Sequence, residues 1–384
     1  MMRGRLPTIC IASVIHSLML VELVIGQTTR PAADDVTAIL KDVIKKDRVP
    51  GMAAAVVRSK GPIVVGVAGK REARGKQKIA ADDRFHLGSC TKSMTATLCA
   101  MLVEQGKLKW ETTVAEAFGE QAEKLNSVYR TVTLKQLLCH RAGLAEDRRP
   151  DLATWPKVLL LSGDMLKQRR SLVEIVLSRE PAHEPDTKFA YSNYGFAIAG
   201  AMCEAVTGEA YEALMKQMMF EPLGMTTAGF GAPGSPDEVD QPRGHDSLFM
   251  MYSAVPPGPG SDNPAVIGPA GTAHCSVGDW AKYARLHLRG ARKPESAELL
   301  KPATFELLHA DPYKQEYAFG WVIRDEEWAG GKMLAHDGSN GRWYAVVVIA
   351  PQRDLAILVA TNAADDTAQS AIRGAIRKLR EAFK

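Results

Sequence analysis

Strand-like apolar runs stand near both ends of this chain while helical periodicity fills its middle, and that order limits the fold more than any other feature of the sequence. Val36, Ile39, Leu40, Val43 and Ile44 make one apolar face of a helix that Pro50-Gly51 closes. Met52 to Val57 and Pro62 to Val67 follow as two strands around a turn containing Gly61. From Cys90 to about Leu308 the pattern is mainly helical, interrupted by a Gly/Pro-rich interval from Gly231 to Gly271. That interval is long for a structureless loop, so it implies a functional wall or hidden strand content. Gly320 to Arg324, Trp343 to Ala350 and Leu355 to Val359 read as strands. A helix follows from Asp366, with Ala371, Ile372, Ala375, Ile376 and Leu379 on its buried face. The class is therefore α/β (α+β). With 384 residues, 46% of them hydrophobic, the chain can bury a large core as one globular unit or two closely joined regions. No internal repeat, low-complexity tract or interdomain linker is evident.

The amino terminus reads as an export signal. Arg3 and Arg5 precede a mainly apolar run from Ile9 to Val21, and Val24 and Gly26 surround a possible cleavage site. Residues 1–26 would be the signal peptide, and the mature protein would begin near Gln27 in the periplasm or outside the cell. His16 and Glu22 are costly in lipid and argue against an uncleaved span. Cys10 lies too early for a lipoprotein site. No other long apolar stretch occurs, so no stable membrane span is expected after cleavage. The formal net charge of +4 falls to +3 without that segment, a balance that gives no reason to expect nucleic acid as a partner. The remaining Cys90, Cys99, Cys139, Cys203 and Cys275 are odd in number and unpatterned in spacing, which predicts mostly free, buried thiols.

Chemistry enters at His86-Leu87-Gly88-Ser89-Cys90-Thr91-Lys92-Ser93-Met94-Thr95. Met94, Leu98, Met101 and Leu102 recur at helical spacing before Gly106, which places Ser89 in the first turn of a helix. Positions three apart share a helix face, so Lys92 can take the proton of the Ser89 hydroxyl. The Ser89 backbone N–H, unpaired at a helix start, can face an oxyanion. Taken alone S-x-x-K arises about once by chance in such a chain, and a capping serine with a solvated lysine explains it equally. The second signal is Tyr191-Ser192-Asn193, just before an apolar helical stretch through Ile198, Met202 and Val206. Ser192 or Asn193 would make a good N-cap there; alternatively the Tyr191 phenol shares a proton near cations while Asn193 offers an amide to substrate. The third is His336-Asp337-Gly338-Ser339-Asn340-Gly341. Its Asp-Gly and Asn-Gly pairs suit a loop between strands, and Gly338 would also let a substrate approach the backbone beside a strand edge.

In this order S-x-x-K, Y-x-N and H-x-G resemble the three motifs of the penicillin-recognising serine hydrolases. The Y-x-N form is similar to that of class C β-lactamases, the DD-peptidases close to them, D-aminopeptidases and family VIII carboxylesterases. Leu137-Leu138-Cys139-His140-Arg141-Ala142-Gly143-Leu144 looks like the family's leucine-rich stretch ending in His-x-Ser-Gly-Leu, with Ala142 for serine. Glu221-Pro222-Leu223-Gly224-Met225, Pro269-Ala270-Gly271 before a helix with Asp279, and Ile349-Ala350-Pro351 leading to Ala360-Thr361-Asn362 look like further landmarks. The likeness spans roughly residues 32 to 384.

That resemblance implies a β-lactamase/transpeptidase-like fold, an antiparallel sheet flanked by terminal helices plus a mostly helical region. Residues 27–384 would form one hydrolase domain, with its α/β region at about 32–89 and 310–384 and its helical region at about 90–309. It also implies acyl transfer without a cofactor or metal, on a small-molecule or peptide substrate. Ser89, Lys92 and Tyr191 would be catalytic; Asn193, His336, Asp337, Gly338 and Ser339 would bind substrate, with the Ser339 N–H as the second oxyanion donor. His336 replaces a usual lysine. Imidazole is largely neutral near pH 7, so a permanent anchor for a substrate carboxylate is missing, unless Arg342 supplies one. This favours a peptidase, amidase or esterase over an efficient β-lactamase. A non-catalytic penicillin-binding-like receptor remains the alternative, because fold alone does not establish function. No Gly-x-Ser-x-Gly elbow, H-E-x-x-H, C-x-x-C or P-loop is present.

Overall fold

Strand alternation explains how the molecule is layered. The computed structural model describes residues 32–146, 154–248, 251–258, 260–293, 295 and 298–384, so the export segment read at residues 1–26 lies outside it. Strands β1 (Gly51–Val57), β2 (Val64–Gly69), β3 (Phe85–His86), β4 (Gly229–Phe230), β5 (Gly244–Leu248), β6 (Met251–Val255) and β7 (Ala273–Cys275) come first. They are followed by β8 (Tyr317–Ala318), β9 (Trp321–Glu326), β10 (Gly331–Ser339), β11 (Tyr344–Ala350) and β12 (Leu355–Thr361). Seven of these form one sheet in the order β2-β1-β12-β11-β10-β9-β8, with every neighbouring pair antiparallel.

Successive side chains of a strand face opposite ways. Ala53, Ala55 and Val57 of β1, with Ala356, Leu358 and Ala360 of β12, enter the larger core; Met52, Ala54, Val56, Leu355, Ile357 and Val359 enter the smaller one. The smaller core is closed by helices α1 (Ala33–Asp47) and, at the other end of the chain, the helix Asp366–Ala382, through Val36, Leu40, Val43, Ala371, Ile372, Ala375 and Leu379. These are the apolar faces the sequence periodicity marks. Because both faces of the central strands are covered, the runs are continuously apolar rather than alternating.

The larger core joins the sheet to the helical region. Its main helices are α2 (Thr91–Glu104), α3 (Met165–Leu177), α4 (Asn193–Thr207) and α5 (Val277–Arg292), and the C-terminal helix Asp366–Ala382 is α6. α2 is buried from Thr91 to Leu102 and α4 from Tyr194 to Glu204, on every side, which is why neither shows a single apolar stripe. The Gly/Pro-rich interval holds the β5–β6 hairpin, so it does contain strand. Among the described residues no helix is long and apolar enough to cross a membrane. Cys90, Cys99, Cys139, Cys203 and Cys275 are all buried and free.

Candidate active site

Ser89 does not stand in the first α-helical turn, as the periodicity suggests, but in a single 3₁₀ turn, Gly88–Cys90, that runs directly into α2. Gly88 has φ +50°, and a Cβ there would lie 2.3 Å from the Ser339 nitrogen. Only glycine permits this approach. The turn therefore presses Ser89 against the end of β10.

One turn further, the Lys92 side chain is fully buried and its Nζ is ringed by oxygens: Ser89 Oγ at 2.9 Å, Asn193 Oδ1 at 2.6 Å and the Ala270 carbonyl at 2.8 Å. The Tyr191 ring centroid lies 4.8 Å from the same nitrogen, with Phe196 at 5.7 Å. A buried ammonium needs its donors satisfied, and three acceptors match its three N–H bonds. Ser89, Lys92, Tyr191 and Asn193 thus converge at one point.

Tyr191 lies two residues before α4, and Ser192 between them is extended backbone. Ser192 occupies the N-cap position but forms no cap hydrogen bond, and its buried hydroxyl has no partner. Its N–H instead donates to Nδ1 of His140 at 3.1 Å, so the proton of that imidazole sits on Nε2. His140, at φ +56°, lays its ring 4.3 Å from that of Tyr191 and 4.8 Å from that of Tyr317. Burial, with Lys92 nearby, pushes its pKa well down and keeps it neutral. His140 appears in the sequence reading only as part of a landmark. Its contacts make it a support for Tyr191.

His336-Asp337-Gly338 lies in β10 and not in a loop; the turn to β11 is made by residues 340–343, with Gly341 at φ +89°. β9 pairs with β10 only as far as Ala335↔Val322, so along residues 336–339 no strand among the described residues covers that edge. A Cβ on Gly338 would lie 2.1 Å from the Leu87 carbonyl and 2.4 Å from the Ser89 nitrogen. The backbones of Ser89 and Gly338-Ser339 are consequently in contact, which is what a two-amide oxyanion pocket requires.

Strand parity corrects the expectation for Asp337. It shares a face with Met333 and Ala335, on the side of the terminal helices, where Tyr344 donates to its Oδ2 at 3.1 Å. Its side chain is turned away from Ser89 and Lys92. The Ser339 hydroxyl accepts from the Gly341 N–H at 2.9 Å, which ties it to the turn.

His336 has the parity of Gly338 but is buried. Its Nδ1 donates to the Asp337 carbonyl at 2.6 Å, and its Nε2 faces the Tyr317 hydroxyl at 3.4 Å, which in this tautomer donates. Burial, and next the positive charge of Lys92, lowers its pKa to about 4. It is neutral at pH 7. Arg342 offers no replacement cation, because its Nε pairs with Asp246 at 2.7 Å and its Nη1 donates to the Gly260 carbonyl at 2.8 Å.

Sequence reasoning missed Tyr317, which lies between His140 and His336, and missed His86 and Asp262, a buried pair with the His86 Nε2 2.9 Å from the carboxylate. It named Ala270 only within a landmark. No local pattern could join His86 to a residue 176 positions away. Among the described residues no group of His, Cys, Asp and Glu is arranged to hold a metal ion.

Residues 36–380 match the family model described as Beta-lactamase. Penicillin-binding protein 4 of Amycolatopsis lactamdurans is 28% identical over 295 residues, 74% of this chain and 73% of that protein. The unguisins hydrolase ungD' of Aspergillus campestris is 25% identical over 352 residues, covering 86% of this chain but only 62% of that protein, less than two thirds of its length. The crystal structure of a D-stereospecific amidohydrolase from Streptomyces sp. superimposes with a TM-score of 0.67 at 21% identity, covering 89% of this chain and 98% of that one, which establishes similarity of fold.

Proposed function

This chain belongs to the β-lactamase family, and we propose that it hydrolyses an ester, amide or D-amino-acid peptide bond through a covalent serine acyl-enzyme. The observation that carries this reading is the placement of Lys92 Nζ 2.9 Å from Ser89 Oγ, with Asn193 and Ala270 filling its other directions. In the ammonium form all three N–H bonds are used. After loss of one proton, two N–H bonds still hold Asn193 and Ala270 while the lone pair faces the serine hydroxyl, which then donates to it.

Attack by Ser89 Oγ on a carbonyl carbon passes the hydroxyl proton to Lys92 and places negative charge on the carbonyl oxygen. The N–H groups of Ser89 and Ser339 receive that charge. Tyr191, with Lys92 beside its ring, relays a proton to the leaving group as the scissile bond breaks. A water molecule then adds to the ester, its proton returns through the same groups, and Ser89 is released. Nothing in this sequence needs the Asp337 carboxylate.

Substrate preference follows from charge. With His336 neutral and Arg342 paired with Asp246, the β10 edge has, among the described residues, no cation dedicated to a substrate carboxylate. The reading therefore favours esters, amides and D-amino-acid peptides over β-lactams. The D-stereospecific amidohydrolase and unguisins hydrolase among the similar proteins accord with it. A panel of short-chain p-nitrophenyl esters, D-amino-acid amides, D-Ala-D-Ala peptides and nitrocefin tests this, and nitrocefin turned over faster than every other member would refute it. Export through a cleaved leader at residues 1–26 belongs to the same proposal; a secreted protein still beginning at Met1 counts against it.

The pH profile provides a second check. Protonation of His336 below about pH 4 adds a buried cation near Lys92 and removes the acceptor for Tyr317. Activity should fall there as pH is lowered, and His336→Asn should erase that acid limb. An unchanged profile in the variant would contradict the assignment.

A further inference from the structure

Behind the Ser89 turn lies a polar network that the mechanism above leaves unused. His86, fully buried on β3, accepts the Gly88 N–H on its Nδ1 at 3.1 Å. Its Nε2 therefore carries the proton and donates to the Asp262 carboxylate, to Oδ2 at 3.0 Å with Oδ1 at 2.9 Å. Asp262 comes from the Gly/Pro-rich interval, far away in sequence, and takes two more hydrogen bonds on Oδ1: from Asn340 Nδ2 at 2.8 Å and from the Asn263 N–H at 2.7 Å. Burial alone would raise the pKa of this carboxyl, but the hydrogen bond from His86 and the other donors hold it below its usual value.

Each of these partners borders the active site. His86 holds the amide just before Ser89. Asn340 follows Ser339, and its own Oδ1 accepts from the N–H groups of Arg342 and Trp343, at 3.1 and 3.2 Å, which fixes the turn that ends β10. Asn263 Nδ2 donates to the Gly271 carbonyl at 3.2 Å, next to Ala270, whose carbonyl holds Lys92. A single carboxylate thus links the Gly88-Ser89 turn, the Ser339-Asn340 turn and the segment that accepts from Lys92.

We propose that Asp262 and His86 are positioning residues that set the spacing of the two oxyanion-binding amides, Ser89 N–H and Ser339 N–H, from behind the site. This rests on the acyl-enzyme reading. The physical reason is directional. Three donors converge on Asp262, so its replacement by the near-isosteric asparagine points an amide N–H₂ at one of them. Relief by a tautomer change at His86 would turn an Nδ1–H against the Gly88 N–H. Either outcome shifts the Ser89 turn relative to β10, where two backbones are already in contact and a small displacement matters.

The test is Asp262→Asn, assayed with the best ester of the panel and with a boronic acid whose tetrahedral adduct at Ser89 places an oxygen in the oxyanion pocket. An effect on the oxyanion lowers kcat and leaves KM in place. The expected result is a fall in kcat of about 10- to 100-fold, KM within about twofold, and a loss of boronate affinity by the same factor as kcat/KM. His86→Gln, which keeps one acceptor and one donor, should retain more activity than His86→Ala. If kcat and boronate affinity both stay within about twofold of the parent, the proposal is overturned. It is equally overturned if kcat falls only together with a rise in KM and a lower melting temperature. Should Asp262→Asn not fold, Asn340→Ala leaves the His86–Asp262 pair intact and is judged on the same two readouts, with a severalfold fall expected in each. Ser89→Ala separates the two ideas: an active Ser89→Ala protein defeats the acyl-enzyme reading itself, whereas an inactive one beside an unaffected Asp262→Asn defeats only the positioning role.

Discussion

Ser89→Ala should lower turnover of any accepted ester or amide by about 10⁴-fold or more and abolish labelling by a fluorophosphonate. The magnitude follows from what is lost. Without Oγ no covalent ester forms, while Lys92 still donates to Asn193 and to the Ala270 carbonyl. The fold should persist, because the substitution removes one hydroxyl, which accepts from Lys92, and leaves the backbone turn in place. Intact-protein mass spectrometry after incubation with penicillin, a fluorophosphonate and p-nitrophenyl esters measures this. A parent protein that is labelled and then slowly recovers its mass, beside a variant that never gains any, is the expected pair of results. Equal labelling of both would end the assignment of Ser89.

Arg169→Met should destabilise the protein by about 3–5 kcal/mol, the cost typical of removing one partner of a buried ion pair. Arg169, on α3, is fully buried; it pairs with Glu204 of α4 at 2.5 Å and with Glu212 of the short helix Tyr211–Met215, and its Nε donates to the Val266 carbonyl at 3.2 Å. Burial raises the pKa of Glu204 even with Arg169 present, so without its partner this carboxylate is a charge held away from water. The methionine fills much of the space but answers none of that charge. Chemical denaturation at neutral pH provides the measurement, and a loss under about 1 kcal/mol would show that the pair carries little. Arg169→Met combined with Glu204→Met should recover part of the loss, since the unpaired charge goes with it. The pair bears on catalysis because α4 begins at Asn193 and follows Tyr191 directly.

The two effects differ in kind because they depend on different layers of the molecule. Ser89 acts on chemistry from a half-buried position, and its removal leaves packing alone. Arg169 acts on the assembly of three helical segments, with no contact to Ser89 or Lys92 of its own, and its removal is felt first in stability.

Much of this architecture was legible from local pattern. The faces of α1 and α6, the strands β1, β11 and β12, and the helix after Ser89 follow from apolar spacing, because burial on one side of a helix or on both sides of a strand selects residues at fixed intervals. The strand β10 was harder to see. Its Asp337-Gly338 pair looks like a turn, yet the strand continues through it, since Gly338 is required there for contact with Leu87 and Ser89 rather than for a bend. The family resemblance put Asp337 with the site residues, and a period of two turns it to the opposite face.

By itself the sequence determined what depends on neighbours in the chain: the S-x-x-K spacing, the helix that carries it, the amphipathic ends, and the absence of a lysine where His336 stands. Tertiary structure alone decided which distant groups meet. Asn193 reaches Lys92 across 101 residues and Asp262 reaches His86 across 176. It also decided that Asp337 and the cation of Arg342 are turned to other partners. The physical reason is that spacing along a chain sets only local geometry, whereas strand register, packing and the pairing of buried charges set which side chains share one small volume.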